Sequence, residues 1–266
     1  MADEILFERS GPIATVTINR PEKMNALTGE MMARLGEVWR EVDADDAIRV
    51  AVIIGAGERA FCSGRDLMAG APGGPEYHRQ RKERGLPTED TGLEAMVPAG
   101  VGKPVIAAIN GHCLAGGFAL ALACDLRIAS ENARLGTSSV NRGLLAGGGQ
   151  TQRLVRYLPF GIAMEMLLSG QPLEAQRALQ YGLVNAVVPI TQLRATAQAW
   201  AEQLCQNAPL AMRATKEIAY HGGFELPFGE AMKLENRRYN EMLETDDVLE
   251  GARAFAERRP PQYRGR

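Results

Sequence analysis

Lys103-Pro104-Val105-Ile106-Ala107-Ala108-Ile109-Asn110-Gly111-His112-Cys113-Leu114-Ala115-Gly116-Gly117 is a buried apolar run that halts at Asn110-Gly111. Small residues after Gly116-Gly117 then open a helix. A strand that feeds a helix through glycine can aim backbone N–H groups at a ligand. A second apolar run, Arg49-Val50-Ala51-Val52-Ile53-Ile54, ends in the same strand-then-glycine manner at Phe61-Cys62-Ser63-Gly64, followed by Arg65-Asp66-Leu67. Two such strand ends can supply two N–H donors to one oxygen atom.

Working outward, Ile5-Leu6-Phe7-Glu8 and the alternating segment from Ile13 to Asn19 flank the turn Ser10-Gly11-Pro12 and predict a hairpin. Thr28 reads as a helix N-cap, and Met31, Met32, Leu35, Val38, Trp39 and Val42 follow at helical spacing. That helix crosses over to the strand at 50–54. From Met68 to Val101 the periodicity fails, and a surface insertion, flexible or partly helical, is the simplest reading. Downstream come a strand at 125–129, the short Arg134-Leu135-Gly136, the glycines Gly147-Gly148-Gly149, a helix over 172–181 ended by Gly182, and a strand over 183–188. Beyond Thr191 the pattern is helical, with breaks expected at Pro209 and around Gly222-Gly223, and with Thr245-Asp246-Asp247 opening the last helix. These elements predict an α/β core at residues 1–190 and a helical region at 191–266.

A chain of 266 residues with 45% hydrophobic and 23% charged residues can bury a large core and keep a polar surface. A formal charge of −2 and a pI near 6.0 disfavour nucleic acid as a partner, while a few local cations can still meet a small polyanion. No apolar run reaches the ~18 residues of a membrane span, and Met1-Ala2-Asp3-Glu4 is acidic where a secretory signal is basic, so a cytoplasmic protein is expected. Cys62, Cys113, Cys124 and Cys205 lack CxxC spacing and read as free, mostly buried thiols. His78, His112 and His221 are widely separated, which argues against a histidine-built metal site. No G-x-S-x-G, complete G-x-G-x-x-G or phosphate-loop Lys-Ser/Thr occurs.

Further segments fall in a specific order: Ile13-Ala14-Thr15-Val16-Thr17-Ile18-Asn19-Arg20-Pro21 with Met24-Asn25-Ala26-Leu27, then Ala123-Cys124-Asp125-Leu126-Arg127-Ile128-Ala129, Gly149-Gln150-Thr151-Gln152-Arg153-Leu154, Ala163-Met164-Glu165-Met166-Leu167-Leu168-Ser169-Gly170 and Ala254-Phe255-Ala256-Glu257-Arg258-Arg259. Together with the two glycine segments they make nearly the whole chain resemble the crotonase (enoyl-CoA hydratase/isomerase) superfamily. The resemblance implies a ββα spiral core and a C-terminal helical region that packs between subunits of a homotrimer, commonly paired into a hexamer. It implies an acyl-CoA or enoyl-CoA thioester as substrate, with coenzyme A part of that substrate and no separate cofactor. It makes the N–H groups of Arg65 and Gly116 an oxyanion hole. Coenzyme A would lie along Met24, Ala26, Ser63, Asp66 and Leu67, with Phe255 and Arg258 contributed by a neighbouring subunit. The insertion after Met68 would roof the acyl pocket.

Hydration of an enoyl thioester needs a base for water and an acid for the α-carbon, and hydratases of the family use two glutamates. Aligned through Cys124-Asp125, these become Ala119 and Ser139, neither of which titrates near neutrality. The aspartate that other activities of the family place near the glycine run becomes Gly147. Substitutes are His112, Asp66, and Glu83, Glu89 and Asp90 of the insertion. The plainer readings are a structural histidine, a loop-bracing aspartate and a solvated acidic face. Two functions therefore stand: an enzyme with altered or weak activity, and an acyl-CoA-binding carrier or sensor without catalysis.

Overall fold

The computed structural model describes residues 3–66, 79, 83 and 96–266. The hairpin forms as expected: β1 (Ile5–Ser10) lies antiparallel to β2 (Ile13–Ile18). Helix α1 (Gly29–Ala44) is capped by Thr28, whose hydroxyl accepts from Met31 N–H at 3.2 Å, and buries the six apolar residues that the spacing picked out. Thereafter the chain alternates between two sheets. β3 (Val50–Gly55) is followed by β4 (Ala60–Cys62), β5 (Val105–Ile109) by β6 (His112–Leu114), and β7 (Leu126–Ser130) by β8 (Arg134–Gly136). The first member of each pair extends a six-stranded sheet of order β1-β2-β3-β5-β7-β10; the second extends a four-stranded sheet of order β4-β6-β8-β9. This repeated step is the spiral.

Buried amides hold the corners between the sheets. Asn110, 2% exposed, accepts from Gly55 N–H at 3.1 Å and donates to Gly57 O at 2.6 Å. Asn25, fully buried, donates to Ala60 O at 2.7 Å. Buried polar groups are tolerated only when so satisfied.

The parallel strands are covered on both faces, which explains their unbroken apolar runs. Ala51, Ile53, Ala107 and Ile109 face the main core with α1; Val50, Val52, Ile54 and Ile106 face the other way, against Leu193, Ala197 and Ala201 of α6 (Ile190–Cys205). The helical region is thus anchored to the sheet by its first helix. Lys103, 3% exposed, donates from Nζ to Val42 O at 2.8 Å and Asp45 O at 2.6 Å, satisfying carbonyls at the end of α1. Burial lowers its pKa, with nearby Arg213 adding to the effect.

Three expectations need correction. The segment expected as a helix over 172–181 begins as strand β9 (Leu173–Glu174), with Leu173 buried opposite Leu135, and only α5 (Ala175–Gln180) is helical. Of residues 183–188, only β10 (Ala186–Val188) pairs with β7; Leu183 N–H closes the end of α5 on Ala178 O at 2.8 Å, and Leu183 and Val184 turn into the core. Helix α7 (Pro209–Phe224) runs through Gly222-Gly223, and the break falls before α8 (Phe228–Leu243), at Pro227. A Cβ at Gly222 would come within 3.3 Å of Ala231 Cβ, so glycine there serves a close helix–helix approach and not a break. The last helix, α9 (Asp246–Glu257), is capped by Thr245 as expected. Leu67, His78, Glu89, Asp90 and most of the insertion lie outside the described residues; Arg79 and Glu83 are helical and exposed. Among the described residues no helix is long and apolar enough to cross a membrane.

Candidate active site

The two glycine turns meet. Gly64 has a φ of 102°, and a Cβ there would lie 2.9 Å from Ala115 Cβ and 3.2 Å from Gly116 N, so only glycine fits. Arg65 forms a parallel bridge with Leu27: Leu27 N–H donates to Gly64 O at 2.8 Å and Leu27 O accepts from Asp66 N–H at 2.9 Å. Parallel pairing turns the Arg65 N–H to the opposite side, toward Gly116. On that side Gly116 is the first residue of α2 (Gly116–Ala123), so its N–H has no acceptor within the helix and carries the positive end of the helix dipole. Ala115, at φ 49° and ψ −120°, aims it; its own N–H is held by Gly136 O at 3.0 Å. Such a conformation is strained for a residue with a side chain.

Glycine at 116 has a different reason from glycine at 64 and 117. A Cβ on Gly117 would collide with Cys62, so α2 packs there directly on the β4 backbone. A Cβ on Gly116 would make only ordinary contacts, 3.5 Å to Met96 Cε and 3.7 Å to Arg65 N. Packing does not demand glycine here; a methyl group would merely fill the space between the two N–H groups. That space is walled by Met96, fully buried and fixed by the Trp39 indole N–H donating to its carbonyl at 2.7 Å.

Met24, Ala26, Ser63 and Asp66 lie together beside the Gly64 turn. Ser63 N–H donates to Met24 O at 3.1 Å, and Arg20 Nη1 donates to Ala26 O at 3.2 Å and to Asp66 Oδ2 at 2.6 Å. Met24 and Asn25 both take φ 54°, a left-handed corner made tolerable by the Asn25 amide bonds. Each carbonyl keeps a second lone pair for a ligand. Asp66, held by Arg20, fits the loop-bracing reading. Its neighbour Leu67 lies outside the described residues.

Ala119 is fully buried in α2. Ser139 follows β8 and is half-buried, with Thr137 Oγ1 donating to its Oγ at 3.2 Å. Gly136 ties the start of this loop to Ala115. The loop returns through Gly147-Gly148-Gly149 to α3 (Gln150–Tyr157). Sequence reasoning gave Gln150 no role, yet it is 2% exposed; its Nε2 donates to Gly147 O at 2.7 Å while its buried Oε1 has no partner. An unmet buried acceptor costs about 1–3 kcal/mol unless water or a ligand donor reaches it. Only burial marks Gln150 out, and burial is not visible in one sequence.

His112 is exposed; strand alternation sends Cys113 into the core and leaves His112 at the surface, four residues before Gly116. Burial pushes the thiols of Cys62 and Cys124 up to about 12 and that of Cys113 well above its usual value, so none is a thiolate nucleophile at neutral pH. Titrated with a thiol reagent at about pH 8, the native protein should release colour only at part-exposed Cys205, and at the other three after denaturation. Rapid native labelling of Cys113 would contradict this packing.

On α9, Phe255 is 87% exposed while Ala254 faces inward, and Arg258 has no ion-pair partner among the described residues. Neighbouring Arg259 is instead bound to Glu250 at 2.6 and 3.0 Å. No cluster of metal-ligating side chains occurs among the described residues.

A family model described as enoyl-CoA hydratase/isomerase matches residues 8–266. (E)-Benzylidenesuccinyl-CoA hydratase of Thauera aromatica is 41% identical over 98% of this chain and 99% of its own length. Carnitinyl-CoA dehydratase of Proteus mirabilis is 38% identical over the full length of both chains. The crystal structure of an enoyl-CoA hydratase from Bacillus anthracis superposes with a TM-score of 0.89 at 35% identity, covering 99% of this chain and 100% of the other.

Proposed function

Because the chain belongs to the enoyl-CoA hydratase/isomerase family, we propose that it binds an acyl-CoA or enoyl-CoA thioester and polarises the carbonyl between the N–H groups of Arg65 and Gly116. The observation that carries this reading is the approach of Arg65 N and Gly116 N across Gly64, around space that would take a methyl group without a clash. In the reaction, water oxygen bonds to the β-carbon and releases one proton to a base while the carbon–carbon π electrons move onto the thioester oxygen. The resulting enolate collapses as the α-carbon takes a proton. Two fixed donors meet the developing oxyanion, and such a donor is worth about 3–4 kcal/mol in other enzymes. The hydratase and dehydratase among the relatives favour water addition or removal as the reaction type.

The proton carriers differ from a paired-glutamate design, since Ala119 offers a methyl group and Ser139 a hydroxyl. The second reading, an acyl-CoA carrier or sensor without catalysis, draws on that same pair of residues. Titration with crotonyl-CoA beside a turnover assay separates the two. Binding with turnover supports the enzyme, binding without turnover the carrier, and no binding rejects both.

Coenzyme A would lie on the ledge of Met24, Ala26, Ser63 and Asp66, and no further cofactor is required. Exposed Phe255, and Arg258 with no ion-pair partner among the described residues, favour a homotrimer, or a hexamer of paired trimers, in which α9 of one subunit completes its neighbour's site. The expected setting is the cytoplasm, with neither nucleic acid nor membrane as partner. Arg258→Ala should weaken coenzyme A esters by about 1–3 kcal/mol without changing acyl preference, the value of one charge-assisted phosphate contact. Unchanged affinity at low salt in an intact oligomer would make Arg258 an ordinary surface charge.

A further inference from the structure

We propose that the cavity between α3 and α7 receives a carboxylate on the far end of the acyl group; this rests on the thioester reading of the hole. The cavity measures ≈ 500 Å³ and is bordered by the loop at 99–102. That volume lies within the range of about 300–1,000 Å³ usual for small-molecule sites.

Its charges are unevenly matched. Arg153 and Arg156 stand three apart on α3, so both point to one face. Each uses Nη1 on a backbone carbonyl, Gly148 O at 3.1 Å and Gln152 O at 2.8 Å, and neither pairs with a carboxylate among the described residues. Lys216 and Glu217 are matched already, and His221 matches Glu225 when its ring is protonated. Lys216 holds Asp125 at 2.7 Å, Glu217 is gripped by Arg238 through two bonds of 2.7 Å, and Glu225 is engaged by His221. The unspent nitrogens of two guanidinium groups are what remains, and their planar fork matches a carboxylate. Around them the wall is aromatic: Tyr157 and Tyr220 each tilt against Phe224, at 6.1 and 6.0 Å between centroids, and Arg156 lies 5.7 Å from the Phe224 centroid. An apolar or aromatic stem suits that wall.

The cavity also lies next to the hole. Met96 borders the space at Gly116 with the end of its side chain, and Ala99, three residues on and at most about 11 Å away along the backbone, lines the cavity. Gly149, against the Arg153 guanidinium, lines the same cavity. A group extending from the thioester past Met96 would head toward the cavity that Ala99 and Arg153 line.

Saturation-transfer NMR on the full-length protein with free phenylacetate, against neutral phenylacetamide, probes the cavity alone. Phenylacetate should give the stronger signal, and Arg153→Gln with Arg156→Gln should abolish the difference. Equal signals, or a difference that survives the double variant, would overturn the proposal. Saturated coenzyme A esters of matched length, ending in methyl or carboxylate, then test the link to the acyl group. Across a length series the best carboxylate should bind about tenfold or more tighter than its methyl partner, an advantage lost in the double variant while methyl esters are unaffected. If the methyl ester binds and the carboxylate gains nothing at any length, the inference fails while the thioester reading stands. If neither ester binds, the thioester reading itself fails and the link to an acyl group fails with it.

Discussion

Gly116→Pro should cut thioester turnover, or affinity for a saturated thioester if turnover is slight, by about 10²–10³-fold, the loss seen when one oxyanion donor is removed from other enzymes. Proline is accepted at the first position of a helix, where no N–H is needed for the helix itself, so the substitution takes away the donor and leaves α2 able to form. Arg65→Ala is the control: it keeps the backbone N–H and should stay within a factor of about three. Gly116→Ala keeps the N–H as well, but its methyl group would sit 3.7 Å from Arg65 N and obstruct the space. Circular dichroism and thermal melting separate loss of site from loss of fold. Equal defects in folded Gly116→Pro and Arg65→Ala proteins would rule out the backbone hole.

Wild-type hydration of crotonyl-CoA should run about 10²–10⁴-fold below a hydratase with both glutamates, because a positioned proton carrier contributes that much. Ala119→Glu combined with Ser139→Glu should then exceed either single variant. The environments differ in a useful way. Position 119 is fully buried among apolar side chains, where desolvation raises a carboxyl pKa and keeps the acid protonated; position 139 is half-buried beside the Thr137 hydroxyl, where a carboxylate stays ionised. Rapid wild-type turnover would sink the argument from missing acids and shift attention to the hydroxyl loop and Gln150. A folded, ligand-binding double variant without gain would show that carboxylates alone do not rebuild the geometry.

The parts of this molecule that were legible in the sequence are those fixed by local rules. The period of α1 and the Thr28 cap, the doubly covered strands, and the glycine turns at Gly64 and Gly116 all follow from neighbours within a few residues. Interactions set by distant partners were not legible. Leu173 becomes a strand because Leu135 lies opposite, and Gly222 stays helical because Ala231 approaches. Ala115 takes a left-handed conformation that no local preference asks for. The cavity draws on residues near 100, 150 and 220 at once, and its unmatched arginines stand out only after the other ion pairs are known.

The proposed hole spans successive turns of the spiral: Leu27 is bonded to Gly64 O, Gly64 abuts Gly116, and Gly136 holds Ala115. Binding competence should therefore be among the last properties regained on refolding. Parallel pairing across long crossovers is slow to form, and helix α1 can recover its dichroism well before those turns close. A refolding chain should thus pass through states with native-like helix content and no affinity for thioester. Ligand added early would not speed the assembly, and would act only by slowing the reverse step once the spiral has shut.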